Sequence, residues 1–127
     1  FNNLLPDELK IKFKESCNTN LKDIKEAIYH SKRPNVFLAK YFIFISENKH
    51  HKIINEIILK SLDEFFKLHI KCFNEYKEEK INFVGSVAHY LKEEIKKTAK
   101  KYNCSVGKII KEPIYNLVNY HFKNNNF

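Results

Sequence analysis

Methionine and tryptophan are absent from this chain of 127 residues, glycine occurs twice, and Arg33 is the sole arginine. With no methionine and Phe1 in first place, we expect a piece of a longer parent. The scarcity of arginine argues against a nucleic-acid surface despite a net charge of +8. Such surfaces recruit the planar guanidinium fork for phosphates and bases, and lysine is only a point charge. The three cysteines, Cys17, Cys72 and Cys104, are far apart and form no CxxC pair. That excludes an obvious disulfide or zinc framework and fits a reducing cytoplasm. No apolar run nears the roughly 18 residues a membrane helix requires, and no signal peptide is visible. The expected partners therefore include neither nucleic acid nor a membrane.

What is present is lysine, asparagine, isoleucine and phenylalanine in helical rhythm. Lys92-Glu93-Glu94 followed by Lys96-Lys97 reads as a solvated helix face. Pro6 at a first helical position, followed by acids and by Leu9 and Phe13, predicts a first helix. Asn20 as a cap before Leu21, Ile24 and Ile28 predicts a second. Residues 40–46 partly alternate as a strand would, but Pro34 and the Phe37, Leu38, Tyr41, Phe42, Ile45 spacing favour a largely buried helix over about 35–47. A longer helix is predicted over about 51–75, with a wide stripe of Ile54, Ile57, Ile58, Leu62, Phe65, Phe66, His69, Ile70 and Phe73.

The pattern changes at "INFVGSVAHYLKEEI", residues 81–95. "INFV" reads as a short strand ended by Gly85-Ser86, and Val87, Leu91, Ile95, Ala99 and Tyr102 then follow helical spacing. "NCSVGKII" reads as loop and strand, Pro113 opens a last helix with Ile114, Leu117, Val118 and His121 on one side, and the tail is polar. The expected layout is one incomplete domain: a helical part over 1–80, a strand–helix–strand–helix part over 81–122 and a tail over 123–127. Strands 81–84 and 106–110 should lie parallel and adjacent, because a strand–helix–strand unit crosses over in that way. At the glycine turn, helix-start amides without partners face a backbone that no Cβ covers, a geometry suited to an anionic or nucleotide ligand. Ser86 is expected to cap that helix. Ordinary turn chemistry accounts for a Gly-Ser pair as well.

"NFVGSVAHYLKEEI" and "GKIIKEPIYNLVNYH", with "LLPDELKIKF" and "IYHSKRPNVFLAKYFIFISENKHHKIINEII" upstream, resemble the C-terminal part of bacterial N-acetylglucosamine kinase-like proteins of the BadF/BadG-type ATPase family. The resemblance implies a helix-rich α/β C-terminal lobe fragment of the actin-like ATPase (ribonuclease H-like) fold, with a short two-stranded parallel sheet piece. It implies ATP and Mg²⁺ as cofactors of a parent that phosphorylates an amino sugar. Gly85 and Ser86 would flank the adenosine, and Val87 and Ala88 would begin the supporting helix. The family's phosphate loops and catalytic acid would lie outside this chain, leaving it inactive alone. One departure is Asn116, where the family pattern has glycine. Alternative readings are an ATPase activator component or a helical interaction module without nucleotide binding.

Other residues read as structural. His50-His51 reads as an exposed loop or a helix start, because neighbours on a helix do not converge on one metal. His69 is expected in the core or at its boundary, His89 on a solvent face near the turn, and His121 as an anchor of the last helix. Glu78-Glu79 and Glu93-Glu94 are adjacent pairs that do not face each other. Cys72 and Cys104 are expected to be buried apolar groups. The aromatic cluster of Phe37, Tyr41, Phe42, Phe44, Phe65, Phe66 and Phe73 reads as core, part of it left to face a missing lobe or the second subunit of a homodimer.

Overall fold

Proline opens two of the helices, as its fixed φ and missing N–H suit a first helical position. The computed structural model describes residues 5–18, 21–30, 32 and 34–124. Its elements are α1 (Asp7–Cys17), α2 (Leu21–His30), α3 (Pro34–Glu47), α4 (Lys52–Phe65), a π-helical turn (Phe66–Ile70), β1 (Lys80–Val84), α5 (Ser86–Tyr90), α6 (Lys92–Lys101), β2 (Ser105–Ile110) and α7 (Pro113–Asn124). Pro34 and Pro113 start α3 and α7, as their spacing predicts. Pro6 instead stands one place before α1, with an extended ψ of 149°. The cap expected of Asn20 and the side chain of Phe37 lie outside the described residues.

The chain divides into two compact units, Phe1–Glu56 and Ile57–Phe127. In the first, Leu9 and Phe44 are buried, and the ring of Phe13 lies edge-on to Phe44 at 5.2 Å and stacked on Tyr41 at 5.6 Å. Asn18 ends α1 in the left-handed region (φ 44°), returning its N–H to the Lys14 carbonyl at 3.0 Å, a role open to asparagine because it tolerates that conformation. The start of α4 is marked by His51, whose Nδ1 accepts the Ile53 amide at 3.4 Å.

In the second unit β1 and β2 form a parallel pair. The chain is thus a helix-rich α/β protein with a two-stranded parallel sheet, and the strands expected over 81–84 and 106–110 are both present. On α6, Ile95, Thr98 and Ala99 are buried, with Leu91 just ahead of the helix. Each Leu or Ile so placed contributes about 1.5–3 kcal/mol of burial free energy. The Thr98 hydroxyl bonds the Glu94 carbonyl at 2.9 Å, so its burial leaves no orphan group. A complete Schellman closure ends α6. Asn103 takes φ 56°, its amide bonds the Lys100 carbonyl at 3.1 Å, and the Cys104 amide bonds the Ala99 carbonyl at 2.9 Å. Asparagine supplies the left-handed residue that glycine more often provides, and the chain leaves directly into β2.

The long helix differs from its sequence pattern. It stops being α-helical at Phe65, passes through the π turn and ends in turns before β1. Ile58, Phe66 and Ile70 are buried, whereas Ile57, Phe65, Leu68 and Phe73 are exposed. His69 is exposed too, its ring 5.2 Å from Phe65, so it is not the core histidine that the stripe suggests. The physical reason is the wider π turn. A step of four residues there stays on one line, and the i+3 half of the stripe rotates outward. Phe66, fully buried, stacks on Tyr102 at 5.7 Å and leans on Phe83 at 6.2 Å. Tyr102 in turn donates to the Asp63 carboxylate at 2.8 Å, and Lys101 pairs with the same oxygen at 2.5 Å. These contacts hold the end of α4 to the end of α6. The two hydrogen bonds, Lys101's first, keep the Asp63 carboxyl below the usual carboxylate range, while the Asp63 bond raises Tyr102 and Lys101 above theirs.

Candidate functional site at the glycine corner

Residues 80–84 form a strand because alternation puts Ile81 and Phe83 toward the core, both half-buried, and Lys80, Asn82 and Val84 outward. Gly85 then turns the chain with φ 122° and ψ 162°. That combination is open essentially to glycine alone. A Cβ built at Gly85 meets nothing within 4 Å. Glycine is therefore required here by backbone conformation, and the space in front of it is open.

The Gly85 amide donates to the Ile110 carbonyl at 2.8 Å, tying the corner to the end of β2. The first bond of α5 runs from the His89 amide to the Gly85 carbonyl at 3.1 Å. The amides of Ser86, Val87 and Ala88 precede that bond and have no acceptor within the helix. Ser86 is the first helical residue rather than the cap. Gly85 occupies the cap position, and no side chain bonds the helix start. The correction follows from the spacing, since a hydroxyl must sit one residue before the helix to reach back to its amides. Ser86 and Val87 are exposed and Ala88 is half-buried. Val87, half exposed, does not share the buried side of Leu91, Ile95 and Ala99. The helix breaks at Leu91 (φ −102°, ψ 19°), so α5 and α6 are not one continuous helix face.

Two further side chains stand beside this corner. Lys111, next after the residue that accepts the Gly85 amide, holds its ammonium 5.2 Å from the centre of the Tyr90 ring. The His89 ring meets Tyr90 edge-on at 5.4 Å and is half-buried rather than solvent-facing. Sequence reasoning missed Tyr90 and Lys111. The only signal was Lys111 directly after the second apolar run and Tyr90 at the end of the short helix after Gly85, near the carboxyl edge of the strands, where ligands of α/β sheets collect.

Elsewhere, a shallow groove lined by Glu93, Lys96, Lys97, Lys100, Cys104 and Val106 runs along α6. Its one sheet residue, Val106, lies near the start of β2. Cys72 is exposed, contrary to expectation. Cys104 is half-buried, and burial pushes its thiol and that of Cys17 upward, which keeps both protonated and poor nucleophiles. His121 is exposed against Tyr120 and does not anchor α7. The helix lies with Ile114, Leu117 and Val118 facing outward, so its histidine has no core to enter. Among the described residues no group of three His, Cys, Asp or Glu side chains could hold a metal ion, and no helix is long and apolar enough to cross a membrane.

No protein-family model matches the sequence, and no curated protein matches it closely. The structure, however, superposes over 99% of its length on a solved structure of a candidate N-acetylglucosamine kinase from Porphyromonas gingivalis. The TM-score is 0.86, the sequence identity 26%, and the chain spans 44% of that protein. The fold therefore matches a part of that candidate kinase.

Proposed function

We propose that this chain is the nucleotide-side, C-terminal lobe of an ATP-dependent kinase of the BadF/BadG type and actin-like ATPase fold, whose acceptor is N-acetylglucosamine or a similar amino sugar. The observation that carries the reading is the near-complete superposition on part of a candidate N-acetylglucosamine kinase. The open strand–glycine–helix corner gives the reading a physical locus. Gly85 leaves room for a nucleoside against bare backbone, and the Ser86, Val87 and Ala88 amides can donate to acceptors brought there. Tyr90 offers a ring and Lys111 a cation at the rim.

ATP would supply the phosphoryl group. Transfer to a sugar hydroxyl also requires a base, a divalent metal and positioned phosphates. Among the described residues no group of three His, Cys, Asp or Glu side chains gathers to hold a metal ion, and with only Gly85 and Gly107 the chain has no multi-glycine phosphate loop. The transfer chemistry belongs to the remainder of a parent protein, and the chain alone binds without turnover.

Calorimetric titration of the chain with ATP and ADP, beside a coupled assay of the full-length parent with a panel of amino sugars, tests this reading. Expected are competing ATP and ADP binding by the chain, no turnover by it, and sugar phosphorylation by the parent. ATP hydrolysis by the parent with no sugar acceptor would favour the activator reading instead. Absence of nucleotide binding from both proteins would remove the function, and turnover by the chain alone would remove its assignment as one lobe.

A further inference from the structure

The two strands do not pair evenly. Ile81 stands opposite Val106 and Phe83 opposite Ile109, so Asn82 alone faces both Gly107 and Lys108. This is a one-residue bulge in β2. Burial follows it. Val106 and Ile109 are half-buried with Ile81 and Phe83, and Lys108 is exposed. In an unbroken register from Val106, Lys108 would stand opposite Phe83 and enter the core side, where its charge would be costly. Past the bulge, Val84 pairs with Ile110 and the Gly85 amide finds the Ile110 carbonyl. Without it that amide would meet Ile109, and Ile110 would stand in the place of Lys111 beside Tyr90.

The side chain of Asn82 fills the gap in the ladder. Its Oδ1 accepts the Lys108 amide at 2.8 Å. Gly107 makes room for it, since a Cβ at that position would overlap the same oxygen. The second glycine of the chain thus serves the bulge as the first serves the corner.

We infer that Asn82 is a positioning residue for the Gly85 corner: by holding the Lys108 amide it fixes the bulge that brings Ile110 under Gly85 and Lys111 to the rim. Its consequence for nucleotide rests on the function proposed above, but its consequence for register is read without any ligand. Asn82→Ala removes the acceptor, Asn82→Asp keeps one, and deletion of Gly107 removes the extra residue and lets the strands pair evenly with Phe83 still opposite Ile109.

Amide hydrogen exchange read by NMR separates the outcomes. In Asn82→Ala both the Lys108 and the Gly85 amides should exchange about tenfold faster, while the Ile95 amide on α6 keeps its rate. Asn82→Asp should restore both. In the Gly107 deletion, Asn82→Ala should leave the Gly85 amide unchanged, a comparison that stands even if Asn82→Ala alone fails to fold. Loss at Lys108 with Gly85 unaffected, or an Asn82→Ala effect that persists in the deletion, would overturn the inference. ATP affinity measured on the same proteins then reports separately on the nucleotide reading. A wild-type chain that ignores ATP removes nucleotide binding by the isolated chain and leaves the exchange result to decide the register lock.

Discussion

Replacing Gly85 with alanine isolates the backbone of the corner. At φ 122° and ψ 162°, an L-residue carries a strain of about 1–3 kcal/mol. Alanine also restricts the unfolded chain, which offsets about 0.4–1 kcal/mol. Nothing lies within 4 Å of the added methyl, so no steric term joins the sum. Gly85→Ala should destabilise the chain by about 0–2.6 kcal/mol, read as a fall in the urea midpoint of the 222 nm circular dichroism at constant slope. The openness adds a second requirement. Gly85→Ser and Gly85→Leu should cost about as much as Gly85→Ala, because a larger side chain meets the same free space. ATP affinity, in contrast, should fall with each increase in size, because the side chain then occupies the ligand's place. A Gly85→Ala variant clearly more stable than the wild type would refute the positive φ. A steep rise in cost from alanine to leucine would refute the open corner.

The other predictions are simpler. Phe66→Ala empties the buried ring position against Tyr102 and Phe83 and should cost about 3–5 kcal/mol in the same denaturation experiment; a loss below 1 kcal/mol would mean that α4 and the sheet are not packed through this ring. Leu9→Ala in the first unit should cost about 2–5 kcal/mol. With two compact units, amide exchange should show its effect on residues of α1 and α3 more than on α6. The Asp63 contacts make stability depend on pH at both extremes. The lowered carboxyl contributes above the ordinary aspartate pKa of about 3.9 and loses its contribution as pH falls through the lowered value. The raised Tyr102 and Lys101 contribute below their ordinary values of about 10 and lose it as pH rises through the raised ones. The stability difference between wild type and Asp63→Asn should therefore be flat from about pH 5 to 9 and shrink on either side; a difference that varies across that plateau would assign the effect to other groups.

Local rules in the sequence specified the ends and types of most elements. Proline placed the starts of α3 and α7, and the change from helical to alternating spacing placed β1, Gly85 and β2. These are properties of neighbouring residues, so they survive without knowledge of the fold. The long α4 pattern misled beyond Phe65, because a stripe of apolar residues does not say which half of it finds a partner. The π turn left His69 outward, and Ile57, Phe65 and Phe73 are exposed as well. Only the tertiary structure decided the site. That Gly85 needs its positive φ, that Gly107 yields to Asn82, and that Lys111 reaches Tyr90 all depend on two strands, more than twenty residues apart in the chain, lying side by side. Sequence spacing carries the period of each strand, but the register between them is set by contacts that exist only after they meet.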